Sequence, residues 1–189
     1  MSARGLCLGL TLIVGIGISA SSQAQEDDYG RSGPYLGLGM GFGWEQFEDT
    51  GGFSNFDNAL GLEGWAGYRL SPYLAAEVQL EYLDRFNTSF MGSRIDSYAL
   101  TFTGNLKGYL MTGPVQPFAL VGLGFLRFKA EGSGIDDSEV GSAIRFGGGV
   151  DFYDSPNVSF GATLSYVLAL GAVDGLDYLS LVLGFQYRF

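Results

Sequence analysis

The sequence contains no histidine, and its one cysteine is Cys7. The missing histidine excludes histidine-based catalytic triads, histidine general bases and imidazole metal sites together. A single cysteine excludes a framework of disulfides within the chain. These absences argue against catalytic and metal-dependent functions, and no cofactor is predicted.

The first 24 residues have the features of a cleaved signal peptide. Arg4 provides a positive charge, residues 6–20 are apolar, and Ser22 and Ala24 are the small residues that a signal peptidase reads. The apolar stretch is shorter than the roughly 20 residues that a membrane-spanning helix needs. We therefore expect a signal peptide at 1–24, an N-terminal segment at 25–33 and one folded domain at 34–189.

The chain is strongly acidic. Its net charge of −10 becomes −11 after cleavage, because the signal peptide contains Arg4 and no acid. Such a chain repels the phosphates of nucleic acids, so no nucleic-acid partner is expected. Solvated acidic loops and recognition of a basic partner both stay open as explanations of the charge.

Apolar residues recur at every second position along the 34–189 domain. The stretches YLAAEVQLEYLD (73–84) and DYLSLVLGFQYRF (177–189) show this most plainly. Alternation of this kind predicts strands rather than helices. Eight such segments lie at 34–44, 58–70, 73–84, 96–110, 117–129, 141–153, 157–170 and 177–189. The fifth segment lacks a clean polar face, so its inward side is left open.

The connections between these segments alternate between short and long. The three short ones contain Pro72, Pro114 and Pro156, which suit tight turns. The long ones are rich in Asp, Glu, Gly and Ser, as in FKAEGSGIDDSEVGS (128–142). This pattern predicts an all-β fold, a closed eight-stranded antiparallel barrel. A soluble, lipocalin-like barrel would turn the apolar faces inward, whereas a transmembrane barrel would turn them outward.

Aromatic residues on the apolar faces concentrate near the ends of the segments. In a transmembrane barrel these positions form the two girdles at the membrane interfaces. The distribution therefore favours the transmembrane alternative. The residues are Trp44, Tyr68, Tyr82, Tyr98, Phe152, Tyr166, Phe185, Tyr187 and Phe189.

The terminal sequence FQYRF, the signal peptide and the eight segments together resemble the small bacterial outer-membrane β-barrel family that includes the OmpA transmembrane domain and OmpX. The resemblance covers residues 33–189 and implies a location in the outer membrane, with both termini and residues 25–33 in the periplasm. It also implies that Phe185, Tyr187 and Phe189 form a C-terminal signal for the barrel assembly machinery. Membrane lipid and lipopolysaccharide are the other implied partners.

Glycine alternates with large apolar residues in the first segment, at Gly37, Gly39, Gly41 and Gly43. The spacing lacks the third glycine of a dinucleotide-binding fingerprint, so a phosphate-binding loop is excluded. In a narrow barrel, inward glycines leave room for larger side chains opposite and ease the coiling of the sheet. The same role is predicted for Gly147 and Gly149 in the sixth segment.

Outward apolar faces would leave a set of charged residues pointing into the lumen. Four are acidic and four are basic, and charges buried there need partners. A three-residue turn at 71–73 places Glu63 opposite Glu81, and Arg145 is the expected cation between them. Two roles stay open for these residues. They form either a static network in the core, or an ion path gated by ion pairs that break and re-form. The residues are Glu63, Arg69, Glu77, Glu81, Lys107, Arg145, Asp151 and Arg188.

The predicted function is that of a non-enzymatic barrel with a plugged, charge-paired lumen. Its role would be structural or would involve surface interactions of the adhesion type, with an extracellular ligand bound through acidic loops. A small passive pore for ions or small solutes is the alternative. Enzymes known on outer-membrane barrels rely on histidine, so the resemblance implies no catalytic residue here.

Charged residues crowd the long connections. The acids are Glu45, Glu48, Asp49, Asp57, Glu131, Asp136, Asp137 and Glu139. Their spacing does not match an EF-hand loop, so no metal site is predicted, although loose binding of divalent ions stays open. The bases Arg85, Arg94, Arg127 and Lys129 lie on the same side, where they could meet lipopolysaccharide phosphates.

Overall fold

The computed structural model describes residues 29–45, 59–84, 88–90, 93–132 and 135–189, and the predicted signal peptide lies outside these ranges. A turn of 3-10 helix spans Gly171–Val173. In the described ranges no helix is long and apolar enough to cross a membrane. The strands are β1 (Gly33–Glu45), β2 (Ala59–Ser71), β3 (Leu74–Asp84), β4 (Thr88–Phe90), β5 (Ser93–Tyr109), β6 (Val115–Gly132), β7 (Ile135–Ser155), β8 (Val158–Leu170) and β9 (Tyr178–Arg188).

Eight of these strands form one closed antiparallel barrel. Neighbouring strands follow the order β3-β2-β1-β9-β8-β7-β6-β5, and pairing of β3 with β5 closes the ring. The three-residue β4 pairs with an extension of β5 outside the ring. The predicted fold is therefore confirmed. Below, the end with the short proline-containing connections is the turn side, and the opposite end is the loop side.

Strands β6 and β7 extend beyond their predicted limits on the loop side. The sequence predicts a loop between the segments that end at residue 129 and begin at residue 141, and this prediction is wrong, because residues 130–132 and 135–140 belong to strands. The ladder continues until Glu131 pairs with Asp136 and Gly132 with Ile135. Beyond the barrel rim both faces of a hairpin meet water, so polar residues can pair there without the alternation that marks a half-buried strand.

The apolar faces of the strands point outward. Leu38 and Leu123 are 63% and 68% exposed, whereas Arg69, Arg145 and Arg188 are fully buried in the lumen. A lipocalin-like barrel would show the reverse arrangement. An apolar outer surface around a closed sheet is what lipid requires, because lipid cannot hydrogen-bond to backbone or charged groups. The soluble alternative is therefore excluded.

The inward face of the fifth predicted segment is visible in β6. Gln116, Phe118, Leu120 and Leu126 are buried in the lumen. The outward residues of this strand, such as Leu123, are apolar as well. Both faces of β6 are thus largely apolar, which explains why its sequence shows no clean polar side.

Aromatic side chains lie on the outer surface at both ends of the barrel. On the turn side, the rings of Tyr187 and Phe189 pack edge to face with their centroids 5.1 Å apart. On the loop side, the ring centroids of Tyr82 and Tyr98 are 5.7 Å apart. Aromatic belts of this kind mark the two membrane–water interfaces.

Gly37 shows why the first strand contains glycine. A Cβ atom at this position would overlap the indole ring of Trp65. That ring extends from β2 across β1, and its Nε1 donates a hydrogen bond to Gln186 on β9 at 3.0 Å. Gly149 on β7 similarly leaves room for the ring of Phe118. Gly37 and Gly149 therefore make space for large side chains in a narrow lumen. The same role predicted for Gly147 is not what the structure shows, because a Cβ atom there would meet the backbone of Leu164 on the neighbouring strand β8.

We predict that Gly37→Ala destabilises the barrel by about 1–3 kcal/mol, the usual cost of overpacking a core. Gly41→Ala is the matched control, because its Cβ atom would lie 3.6 Å from Glu81 Oε1 and from Leu83 Cδ2, an ordinary contact distance. Urea unfolding in lipid vesicles measures both variants. Equal stability of the two would show that Trp65 does not occupy the space above Gly37.

Candidate functional site

The lumen contains all eight charged side chains that the sequence assigns to it, and each is buried. The register between β2 and β3 matches the prediction, since Glu63 pairs with Glu81 and Arg69 with Ala75. From the loop side to the turn side, the charged residues form three groups. Two of these groups contain a base between two acids, and the third contains two arginines.

The first group, the arginine cluster, consists of Arg145, Glu63 and Glu81. Arg145 Nη1 lies 3.5 Å from Glu63 Oε2, and Arg145 Nη2 forms an ion pair with Glu81 Oε2. Glu81 also accepts hydrogen bonds from the Tyr178 hydroxyl at 2.9 Å and from the Ser180 hydroxyl. Arg145 therefore occupies the predicted position between the two acids, and Glu81 is the more firmly held of them.

The second group, the lysine cluster, consists of Lys107, Glu77 and Asp151. Lys107 Nζ lies 3.7 Å from Glu77 Oε2 and 3.7 Å from Asp151 Oδ2, which is too far for direct hydrogen bonds. Each acid instead receives a hydroxyl donor, from Tyr35 to Glu77 at 2.9 Å and from Tyr109 to Asp151 at 3.2 Å. The tyrosines thus compensate for the long ion pairs.

The third group, Arg69 and Arg188, contacts neutral groups rather than acids within the described residues. Arg69 Nη1 donates to Gln116 Oε1 at 2.6 Å, and its guanidinium lies 3.7 Å from the ring centroid of Tyr109. Gln116 Nε2 in turn donates to the carbonyl of Tyr29 at 3.1 Å. Hydrogen bonds and a cation–π contact here replace ion pairs.

Residues 29–32 cross the turn-side mouth of the barrel and are called the N-terminal strap below. The carbonyl of Tyr29 accepts a hydrogen bond from Arg188 Nη1 at 2.7 Å. Arg31 Nη2 donates to the carbonyl of Phe189 at 3.2 Å. The strap therefore covers the mouth and joins the start of the folded chain to its last strand.

The zero net charge of the lumen is not balanced within each group. The arginine cluster and the lysine cluster each have one base and two acids, so each carries one excess negative charge. The compensating positive charges are those of Arg69 and Arg188 on the turn side. The charges cancel only over the whole length of the lumen, a distribution that the sequence did not indicate.

Apolar side chains fill the loop-side end of the lumen. Val173 of the 3-10 turn belongs to this apolar cluster, so the β8–β9 connection folds back over the mouth. The backbone N–H of Ala169 donates to Asp177 Oδ1 at 2.9 Å and helps to hold that connection. The buried members are Ala59, Leu83, Ala99, Leu126, Ala143, Val167, Ala169, Val173 and Tyr178.

The sequence analysis did not identify this apolar closure. One signal was available, because the inward positions at the loop-side ends of the strands are occupied by alanine, valine and leucine rather than by charged residues. The role of Val173 depends on how the connection folds back, and alternation along a strand contains no information about that.

A cavity of about 20 Å³ lies between the two ion clusters and has room for roughly one water molecule. Its lining includes Glu63, Glu77, Lys107 and Asp151. Within the described part of the chain, no group of three acidic, histidine or cysteine side chains is placed to hold a metal ion.

The other predicted residues whose side chains the structure describes lie outside the lumen. Phe185, Tyr187 and Phe189 are exposed on the outer face at the turn side. Arg127 and Lys129 lie at the loop-side end of β6. Outside the described residues and side chains are Glu45, Glu48, Asp49, Asp57, Arg85, Arg94, Glu131, Asp136 and Asp137.

Residues 10–189 match a known family, the outer membrane protein beta-barrel domain. The chain belongs to this family. Outer membrane protein A of Shigella flexneri is 26% identical over 170 residues, which cover 80% of this chain and 47% of that protein. The chain thus spans about half the length of the curated relatives it matches. Its location is the bacterial outer membrane, as the resemblance of the sequence implied.

Solved structures show the same fold. Neisserial surface protein A superimposes with a TM-score of 0.66 at 17% identity, over 84% of this chain and 98% of that one. Ail, the attachment invasion locus protein of Yersinia pestis, in complex with the heparin analogue sucrose octasulfate, gives a TM-score of 0.61 at 19% identity, over 84% and 99%. At such identities the likeness concerns the fold alone.

We predict that Arg145→Met destabilises the barrel by about 3–5 kcal/mol, because two buried carboxylates lose their shared cation. Part of the loss should be recovered in mild acid, where protonation of one carboxyl removes the repulsion. Adding Glu63→Gln should recover part of it at neutral pH. Glu63 is the better choice than Glu81, since its contact with Arg145 is the longer one. Urea unfolding in lipid vesicles at both pH values provides the measurement.

Arg69→Met is the control for this rescue. Arg69 contacts no described carboxylate, so adding Glu63→Gln should not restore its stability. Unchanged stability of Arg145→Met at both pH values, or equal rescue of the two variants, would contradict the bridging role of Arg145.

Proposed function

We propose that this protein is a non-conducting, non-enzymatic barrel with a structural or surface-interaction role in the outer membrane. The observation that carries the proposal is the filled lumen. The apolar cluster around Val173 occupies the loop-side end, the two ion clusters occupy the middle, and the N-terminal strap covers the turn side. A channel would need a continuous water path through these layers.

Contacts between distant parts of the barrel wall support a static core. Tyr178 on β9 donates to Glu81 on β3, and Arg145 on β7 reaches the same carboxylate. Near the turn side, Tyr35 on β1 donates to Glu77 on β3. Side chains that bridge non-adjacent strands leave little room for a solute and hold one another in place.

The geometry also supports a non-enzymatic role. Glu63 and Glu81 are the sort of paired carboxylates that could perform acid–base chemistry. Glu81 is completely buried, and the apolar cluster lies between this pair and the loop-side mouth. A substrate would have no path to these carboxylates.

The surface-interaction part of the proposal concerns the extracellular loops. In this family the long connections are extracellular and the short turns are periplasmic. Among the described residues, Glu139 and Asp174 are exposed on the extracellular side, and the whole chain carries a net charge of −10. The structure of Ail contains a heparin analogue, which is a polyanion. Charge repulsion makes a basic or neutral ligand the better candidate for this chain.

The proposal includes two partners of the membrane itself. The outward side chains of Phe185, Tyr187 and Phe189 stand on the last strand, where the barrel assembly machinery could read them during biogenesis. Lipopolysaccharide would contact the extracellular rim. Cleavage of residues 1–24 would precede both interactions.

A small pore is the second candidate function. Two observations favour it: the 3.7 Å separations within the lysine cluster, and the adjacent cavity, which would allow side chains to rearrange. The apolar cluster around Val173 and the N-terminal strap would both have to move before ions could pass through the lumen. The non-conducting barrel is therefore better supported than the pore.

We predict that the refolded protein shows no steady conductance in planar bilayers. A porin reconstituted by the same protocol serves as the positive control, and a heat-modifiability gel verifies that the barrel is folded. The expected trace is a closed baseline, because neither end of the lumen is open to water. Steady openings of defined size in the wild-type protein would overturn the proposal and favour the pore.

A further inference from the structure

Three arginines lie at the turn-side mouth of the barrel. Arg69 and Arg188 are fully buried at its inner edge, and Arg31 is half-buried in the N-terminal strap. In the part of the chain that the structure describes, none of the three forms an ion pair with a side-chain carboxylate. The next acids along the lumen, Glu77 and Asp151, belong to the lysine cluster. We call Arg31, Arg69 and Arg188 the turn-side arginines.

Neutral oxygen atoms bind these arginines. Arg188 Nη1 donates to the carbonyl of Tyr29 at 2.7 Å and to that of Arg31 at 3.4 Å. Gln116, the partner of Arg69, donates to the same Tyr29 carbonyl. The Nε atoms of Arg31 and Arg188 are buried and have no hydrogen-bond partner among the described residues. A charged acceptor binds a guanidinium more strongly than a neutral one does, so the mouth can accept negative charge.

The residues directly before the strap are acidic. The stretch QEDD (25–28) contains three acids and lies outside the described residues. The position of Tyr29 is fixed by its carbonyl and by its ring, whose centroid lies 5.9 Å from that of Tyr153. Successive Cα atoms are 3.8 Å apart, so the Cα atom of Glu26 is at most about 11 Å from that of Tyr29. Chain continuity therefore keeps three carboxylates close to three guanidiniums.

The strap itself is short, and its described contacts are mostly hydrogen bonds with carbonyl oxygens. Ser32 Oγ donates to the carbonyl of Leu70 at 3.3 Å, in addition to the bonds of Tyr29 and Arg31. Single hydrogen bonds that are exchanged with water contribute little net stability. Attraction between opposite charges would add to these bonds at the place where the strap meets the mouth.

We propose that residues 26–28 dock on the turn-side arginines and form an electrostatic latch that holds the strap over the mouth. The partner of the arginines is thus a segment of the same chain. The inference rests on the proposed function, because it takes the strap as the closure of the turn-side mouth. It adds that this closure depends on charge, so salt should weaken it by screening.

The test uses Ser159→Cys as a reporter beneath the strap, in a Cys7→Ser background. Ser159 on β8 is 1% exposed and pairs with Tyr153 and Gln186 near the mouth. An uncharged, water-soluble thiol reagent measures the labelling rate of the protein refolded in detergent micelles. Such a reagent is neither attracted nor repelled when charges are removed. A heat-modifiability gel verifies that each variant is folded.

The neutralised variant combines Glu26→Gln, Asp27→Asn and Asp28→Asn. It should be labelled about tenfold faster, since three exposed charge pairs together amount to roughly that factor. Salt at about 1 M should accelerate labelling of the native sequence and leave the neutralised variant unchanged. Arg31→Gln should accelerate labelling too. Combined with the neutralised variant, it should give less than the product of the two effects, because both remove the same attraction.

The control removes three exposed acids elsewhere, through Glu139→Gln, Asp154→Asn and Asp174→Asn, and Asp154 among them lies on the turn side. It should be labelled as slowly as the native sequence. Equally slow labelling of the native and neutralised sequences, or an equally large effect of the control, would overturn the latch and leave the closed lumen intact. Rapid labelling with every acid present would overturn both. A failure of the latch is therefore distinct from a failure of the proposed function.

Discussion

In a lipid bilayer, each backbone N–H and C=O group must find its partner inside the protein, and the rest of this structure depends on that constraint. Pairing of β3 with β5 satisfies it by closing the sheet. Closure with eight strands leaves a lumen just wide enough for side chains to fill. Glycine at positions 37 and 184 therefore leaves room for the ring of Trp65 where it crosses the interior. Outward positions become apolar for the same reason.

The filled lumen links this constraint to function. Charged side chains in so narrow a space need partners, and the arginine and lysine clusters supply them with ion pairs and tyrosine hydroxyls. Arg69 and Arg188 complete the balance from the turn side, where neutral groups hold them. Apolar residues and the N-terminal strap then cover the two mouths. A protein built in this way has the loops and the lipid-facing surface left for interactions with other molecules.

Much of the fold could be predicted from the sequence, because alternation and turn length are local properties. Alternation and turn length were sufficient to predict the eight strands, the pairing of Glu63 with Glu81 and the position of Arg145 between these two acids. The apolar cluster around Val173, the strap and the inward face of β6 required the tertiary structure. Each of these depends on how segments distant in sequence meet. The extended β6–β7 hairpin was missed because residues 130–140 are rich in Gly, Ser, Asp and Glu and show no regular alternation.

The sealed lumen can be tested most directly by cysteine accessibility, since Cys7 is the one native cysteine and lies in the predicted signal peptide. In a Cys7→Ser background, Thr103→Cys places a thiol at a fully buried position in the lumen, and Asp174→Cys places one on the exposed loop-side connection between β8 and β9. A charged, water-soluble thiol reagent should label Asp174→Cys at once in vesicles. It should label Thr103→Cys only after unfolding in urea. Rapid labelling of Thr103→Cys in the folded barrel would contradict a sealed interior.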